Sequence, residues 1–336
     1  MKAVVLVGGE GTRMRPLTTT TPKPLLPLVD RPILDHVLDH VARHGVHEVV
    51  LSSPYLEATF APFIGGRRGD PAITWITETT PLGTGGAIVH ALDALGDEPF
   101  FALNGDILTD LDLTAMRRAH AERRAAVSIA LHHVSDARAF GLVETDASGR
   151  VGAFREKPAD EVPGDINAGT YLIDPAVFGG WTADAAISIE REIFPALIEG
   201  GHQVHGFTSS AYWIDLGTPA QYLQAHADLL AGRVEGSSYP APWVHPSASV
   251  SDEAALSADV AVGPQVVVGR GASLHGSVVL GGARIGQGAR IATSVVGPGA
   301  EVGVGASLEG CVVGPDAAVA AGSVLSEARI VAADRV

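Results

Sequence analysis

The sequence predicts an α/β domain with a mixed, mostly parallel sheet, followed by a left-handed parallel β-helix. Three observations carry this reading. The 336 residues exceed one ordinary domain, so two are expected. Short apolar runs alternate with segments of helical periodicity up to about residue 230, the pattern of parallel strands covered on both faces. From Val244 onward an aliphatic residue recurs every six positions.

Residues 2–7 read as a buried strand ending in Gly8 and Gly9. Ile33, Leu34, Val37, Leu38 and Val41 follow helical spacing, and Gly45 stops that helix. Strands follow at 46–52 and 73–77. A helix then runs through Ile88, Leu92 and Leu95, and a strand occupies 100–104. Two strands flank the turn Asp146 to Gly149, a hairpin inserted in the pattern. The last helix starts at Thr218 as N-cap, with Pro219 behind it, and ends before Gly232. The expected divisions are therefore a domain over 1–232, a linker over 233–243 and a β-helix over 244–336.

In the repeat region the series is Val244, Val250, Leu256, Val262, Val268, Leu274 and Leu280. Five-residue steps reset the phase to Ile285 and Ile291, then to Val296, Val302 and Leu308, then to Val313, Val319 and Leu325. A glycine-rich linker would not hold seven positions in register. Three hexads per turn give about five coils. Val267, Val279 and Val295 fall outside the register and are expected to form an apolar outer face. A homo-oligomer that uses the helix follows from this, with residues 244–336 serving assembly rather than chemistry.

The net charge of −15 makes the chain a poor partner for nucleic acid or an anionic membrane. Residues 1–31 depart from that balance. There Lys2, Arg13, Arg15, Lys23 and Arg31 face only Glu10 and Asp30, which suits a small anionic ligand. Cys311 is the single cysteine, so reduced cytoplasm is expected and Cys311 itself is read as structural. The apolar run at 3–7 is too short for a signal peptide or a membrane span. His36 and His40 lie away from Ile33, Val37 and Val41, so a solvated face is expected rather than a metal site.

After the first strand come Gly8, Gly9, Glu10, Gly11, Thr12 and Arg13, and then Lys23 in a proline-rich stretch. A glycine-rich turn at the carboxyl end of a first strand is where α/β sheets bind phosphates. Here glycine and two cations occur together, and a triphosphate site is the better reading. It is neither a Walker A loop nor a dinucleotide fingerprint, since the terminal Gly-Lys-Ser/Thr and the third glycine are missing. The prolines at 16–27 prevent a helix from starting directly after the loop. Asp106 and Asp215 each end an apolar strand-like run. One such carboxylate could equally cap a loop, but two beside a triphosphate suit Mg²⁺.

With these residues the chain resembles the sugar-1-phosphate nucleotidyltransferases, in particular the mannose-1-phosphate guanylyltransferases. The resemblance rests on the loop at 8–16 with Lys23, and on blocks at 78–86, 103–106, 156–158, 166–169, 188–195 and 212–219. Met14 departs from the leucine usual there. The resemblance implies a Rossmann-like nucleotidyltransferase domain that joins a nucleotide from GTP, or another triphosphate, to a sugar 1-phosphate. It matches Leu6, Gly8, Gly9, Gly11, Thr12, Arg13, Glu78, Pro81, Gly83, Thr84 and Asn104 to nucleotide contacts. Gly141, Glu156, Lys157 and Asn167 match sugar-phosphate contacts, and Asp106 and Asp215 match the metal pair. In the loop 81–86, glycines would let a base lie against the backbone, and Thr84 could cap the helix. The reaction needs no general base, since a sugar phosphate is already anionic near neutral pH. It needs alignment and charge stabilisation, from Arg13 at the β- and γ-phosphates and from Lys23 and Lys157 nearer the attack. Another triphosphate or acceptor, a β-helix acyltransferase and a non-catalytic paralogue are the competing readings. His275 standing alone argues against the acyltransferase.

Overall fold

The computed structural model describes residues 1–54, 57–156, 159, 161–183 and 185–332. It comprises two compact bodies, one of residues 1–9 with 36–213 and one of residues 10–35 with 214–336.

The first body is built on a nine-stranded sheet. Its strands are β1 (Lys2–Leu6), β2 (Glu48–Ser53), β3 (Ala72–Thr77), β4 (Phe100–Asn104), β5 (Val127–Val134), β6 (Gly141–Thr145), β7 (Val151–Glu156), β8 (Gly164–Ile173) and β9 (Val204–Thr208). The path runs β7-β6-β8-β4-β1-β2-β3, with β5 pairing β8 and β9 pairing β5. Around β1 the pairs are parallel, and around β8 they are antiparallel. Ala3, Val4 and Val5 are fully buried, as a strand covered on both faces must be. Helix α1 (Ile33–Arg43) precedes β2, α2 (Glu57–Gly66) precedes β3, and α3 (Gly83–Leu95) precedes β4. From β1 the chain moves to β2 and β3 on one side, then returns to β4 on the other. That reversal opens a crevice at the carboxyl ends of β1 and β4.

The histidines of α1 differ from the sequence expectation. His36 and His40 are buried, not solvated, and they line a small pocket with Asn104, Ile107 and Thr109. Burial, with help from the neighbouring His44 and Arg43, holds the His40 pKa down at about 3.

In the second body, 16 short strands form three parallel sheets of six, five and five strands, the faces of a triangular left-handed β-helix. One inward ladder is Val244, Val262, Val279, Val296, Val313 and Ile330. The next is Val250, Val268, Ile285, Val302 and Val319, and the third is Leu256, Leu274, Ile291, Leu308 and Leu325. The first five-residue step thus falls between Leu274 and Val279, and Leu280 is outside the ladder. The reason is the corner, where Gly276, Thr293, Gly310 and Glu327 all take positive φ in successive coils and shorten the turn. Behind them Ser277, Ser294 and Cys311 stack fully buried. The Ser294 amide donates to Ser277 Oγ at 3.1 Å, and the Cys311 amide donates to Ser294 Oγ at 2.9 Å. Cys311 is therefore one rung of a structural ladder.

The expected apolar outer face does not form. Val279 points inward, Val295 is fully buried, and of the three only Val267 is exposed. Outward residues of the Trp243 face are covered within the same body by the segment 10–35 and by α4 (Pro219–Leu230). A cavity there of about 160 Å³ is lined by Val29, His226, Trp243 and Val278 among others. Val29 N donates to His226 Nε2 at 3.1 Å, which ties the segment to α4.

His40 is held neutral when folded and titrates near 6.5 when unfolded. The unfolded state therefore binds more protons between pH 6.5 and 3, and stability falls as pH drops through that window. Urea unfolding of the His40→Leu variant should show a shallower acid loss than the parent, by up to about 1.4 kcal/mol per pH unit.

Candidate active site

The glycine-rich loop leaves β1 at Leu6, whose register partner on β4 is Asn104. Gly8 is forced by packing, since a Cβ there would lie 2.7 Å from Pro54 Cδ. Gly9 differs: a Cβ there would meet nothing within 4 Å, so its backbone borders open space that a phosphate could approach. The Gly105 amide donates to Leu6 O at 3.0 Å, and a Cβ on Gly105 would sit 2.9 Å from that oxygen. This close turn carries half-buried Asp106 to the carboxyl end of β1. Leu6, Gly8, Gly9, Asn104 and Asp106 thus meet at the crevice.

At the loop 78–86 the structure gives the glycines and Glu78 specific duties. Glu78 is buried, with Oε1 accepting from Ser52 Oγ and Oε2 from Leu82 N, both at 2.9 Å. Its carboxylate braces the loop holding Pro81. Gly83 has φ of +67°, and a Cβ there would lie 2.6 Å from Ile187 O. The Gly85 amide donates to that same carbonyl at 2.8 Å, and Gly86 does so at 3.2 Å. These glycines therefore admit the backbone of a strap at 185–189. Thr84 does not cap α3. Its hydroxyl donates to Glu190 Oε2 at 2.7 Å and accepts from Ile189 N at 3.0 Å.

Glu190 extends this network to β8. Its Oε2 also accepts from Ser188 Oγ at 2.8 Å, and its Oε1 from the Tyr171 hydroxyl at 3.4 Å. Tyr171 in turn accepts from Asn167 Nδ2 at 2.7 Å. Gly169, at φ of +68°, lies in a break of register in β8, where a Cβ would stand 2.6 Å from Asn104 Nδ2. Gly169 is thereby packed directly against Asn104, and its amide donates to Asn167 Oδ1 at 3.0 Å. Gly141 lies opposite Glu156 across the β6–β7 pair. Nothing is described of the Glu156 side chain, and Lys157 lies outside the described residues. Trp213 Nε1 donates to Ala168 O at 3.0 Å, and its ring stacks on His132 with centroids 5.1 Å apart. The sequence reading gave no role to Tyr171, Glu190 or Trp213. Glu190 lies within the block 188–195 and Tyr171 two residues beyond the block 166–169, and that nearness is the only signal the sequence holds for them.

Gly11, Thr12, Arg13, Lys23 and Asp215 belong to the second body. Gly11 has φ of +60°, and its carbonyl accepts from Thr18 Oγ1 at 2.8 Å. Thr12 opens the short 3-10 turn Thr12–Met14, and two more such turns follow in place of an α-helix, as the prolines require. Lys23 is buried at 7% exposure. Arg13 Nη2 stands 4.0 Å from Asp215 Oδ2. A Cβ on Gly217 would lie 2.6 Å from that nitrogen and 3.1 Å from that oxygen, so glycine keeps room there. Asp106 and Asp215 offer oxygen donors only, which fits a hard cation such as Mg²⁺. Among the described residues no group of three His, Cys, Asp or Glu side chains is placed to hold a metal. No described helix is long and apolar enough to cross a membrane.

Residues 2–232 match the family described as Nucleotidyl transferase. The chain belongs to that family. Residues 239–336 match the GMPPB C-terminal domain. This nucleotidyltransferase is 39% identical over 289 residues to the mannose-1-phosphate guanylyltransferase of Mycobacterium tuberculosis, covering 84% of this chain and 80% of that protein. It is 34% identical to mannose-1-phosphate guanylyltransferase 1 of Arabidopsis thaliana, over 83% of this chain and 80% of that one. Among solved structures, HddC from Yersinia pseudotuberculosis in complex with GMP-PN matches with a TM-score of 0.59 and 28% identity, covering 67% of this chain and 97% of that one. Nucleotidyltransferases of this family generally use a divalent metal.

Two glycines separate packing from ligand contact. Gly83→Ala should cost at least about 1–2 kcal/mol through its left-handed backbone alone, seen as a lower melting temperature. Gly9→Ala should leave the melting temperature unchanged and raise KM for the nucleoside triphosphate.

Proposed function

We propose that this enzyme transfers GMP from GTP to mannose 1-phosphate, giving GDP-mannose and pyrophosphate. The observation that supports it is likeness to enzymes named for that reaction along more than four fifths of the chain, with the glycine-rich loop and Asp106 at the crevice where an α/β sheet takes its ligand. In the proposed reaction a phosphate oxygen of the sugar attacks the α-phosphorus. The bond from that phosphorus to the bridging oxygen breaks, and pyrophosphate leaves with the electron pair.

Each residue has a role in that scheme. Gly8, Gly9, Gly11 and Thr12 receive the phosphates through the backbone, and Arg13 stabilises the charge that grows on the departing pyrophosphate. Lys23 and Lys157 hold phosphates nearer the attack. Leu6, Pro81, Gly83 and Asn104 border the nucleoside, while Glu78 and Thr84 brace that border from behind. Gly141, Glu156 and Asn167 fix the sugar. Asp106 and Asp215 would hold Mg²⁺, which supplies charge neutralisation at the phosphates. We also propose that the protein acts as a homo-oligomer and that the nucleotidyltransferase domain spans 1–232, joined by 233–243 to the β-helix over 244–336.

Pyrophosphate release from a panel of triphosphates and sugar 1-phosphates should give the highest kcat/KM with GTP and mannose 1-phosphate and should stop with EDTA. A higher value with UTP or dTTP would overturn the guanylyl assignment and leave the family in place. Arg13→Ala should lower kcat about 100-fold while changing KM for mannose 1-phosphate little, because its contact strengthens as charge develops. An unchanged kcat would remove Arg13 from the leaving-group side.

A further inference from the structure

We propose that Arg329, in the last described coil of the β-helix, is a positioning residue for catalysis that fixes the phosphate loop through its main chain. The inference rests on the role given above to Arg13. Arg329 lies in the strand Arg329–Ile330, which stacks in register on Val312–Val313. Ile330 is the inward member of that pair, so Arg329 belongs to the outward row. The earlier residues of that row are Trp243, Ala261, Val278, Val295 and Val312, all apolar and buried. The row therefore turns from apolar to cationic at the coil that meets residues 13–16.

Arg329 Nη1 donates to the main-chain carbonyl of Arg13, at 3.1 Å, and to that of Arg15. Two features make this an anchor. First, the stretch 16–24 holds Pro16, Pro22 and Pro24, which lack N–H groups, so the loop has few donors of its own for its carbonyls. Secondly, Pro16 lies against the coil above. A Cβ on Gly314 would stand 2.9 Å from Pro16 Cβ and 3.0 Å from its Cγ. The loop is thus seated on the β-helix by one apolar contact and one forked donor.

The consequence reaches the guanidinium of Arg13. Its carbonyl is held by Arg329, and its side chain lies across Gly217 beside Asp215. The main chain of Arg13 is thus held before substrate arrives, and its exposed guanidinium starts from beside Asp215, a step towards the preorganisation that charge stabilisation needs. A third guanidinium close to Arg13 and Arg15 also makes the loop more attractive to a polyanion. The β-helix then serves the chemistry, contrary to an assembly-only role.

The test uses the full chain. Arg329→Met keeps the aliphatic stem and removes the donors. It should lower kcat about ten-fold, leave KM for mannose 1-phosphate and the melting temperature unchanged, and speed amide exchange at Met14 and Arg15. Arg329→Lys should recover part of the loss. Arg284→Met and Arg290→Met, at exposed arginines on the other two faces, should behave as the parent. In an Arg13→Ala background Arg329→Met should cost little more, since both act through one residue. An unchanged kcat, a loss that adds fully to that of Arg13→Ala, or a loss that tracks a lower melting temperature would each overturn the proposal. Failure of the GTP and mannose 1-phosphate assignment is read separately, on the parent enzyme, and the variants are then compared with whichever pair the parent turns over.

Discussion

Everything at the crevice depends on the parallel pairing of β1 with β4. Because β1 is reached from β2 on one side and from β4 on the other, the loops leaving β1 and β4 cannot both run over the same face. The gap they leave is bordered by backbone at Gly8 and Gly9 and by the turn at Gly105. No side chain is needed to create it. Side chains then decide what it accepts, and Asp106 and Asn104 stand at its edge because they end the strand that pairs with β1.

Two acidic residues act as struts within the protein. Glu78 and Glu190 spend their oxygens on protein donors, Glu78 on Ser52 and Leu82, Glu190 on Thr84, Ser188 and Tyr171. Carboxylates make the stronger hydrogen bonds, and here they fasten segments far apart in sequence. Glu190 joins the start of α3 to Tyr171 and so to Asn167. The start of α3 and the register break in β8 are therefore braced by one hydrogen-bonded chain.

The β-helix shows how a repeat acquires its period. Inward aliphatic positions alone would allow steps of six throughout. The five-residue step is set by the corner, where a residue at positive φ shortens the turn and the hydroxyls of buried Ser277 and Ser294 each accept from the amide of the next rung. Cys311 continues the stack with a larger, less polar side chain of the same branching as serine, its thiol a weak donor 3.4 Å from the carbonyls of Glu309 and Leu325.

Much of this was legible in the sequence, for identifiable reasons. The parallel strands, the hexad ladders and the loop from Gly8 to Arg13 rest on local chemistry: apolar runs, period six, and glycine beside cations. The strands at 127–134 and 204–208 went unread, since short apolar runs carry no direction or partner of their own. His36 and His40 were misplaced because helical spacing gives a residue's face but not what lies over it, and here Asn104 and Ile107 close that side. Val279 and Leu280 are both aliphatic and adjacent, and only stacking on Val262 and Val296 chooses between them. The sequence by itself determined the two architectures and the glycine-rich turn after β1, because each follows from residues close along the chain. Tertiary structure alone decided that Glu78 ties Ser52 to the loop at Pro81, that Gly83, Gly85 and Gly86 admit the strap at 185–189, and that Arg329 reaches Arg13. Those contacts join residues tens to hundreds of positions apart, and no local pattern encodes such a meeting.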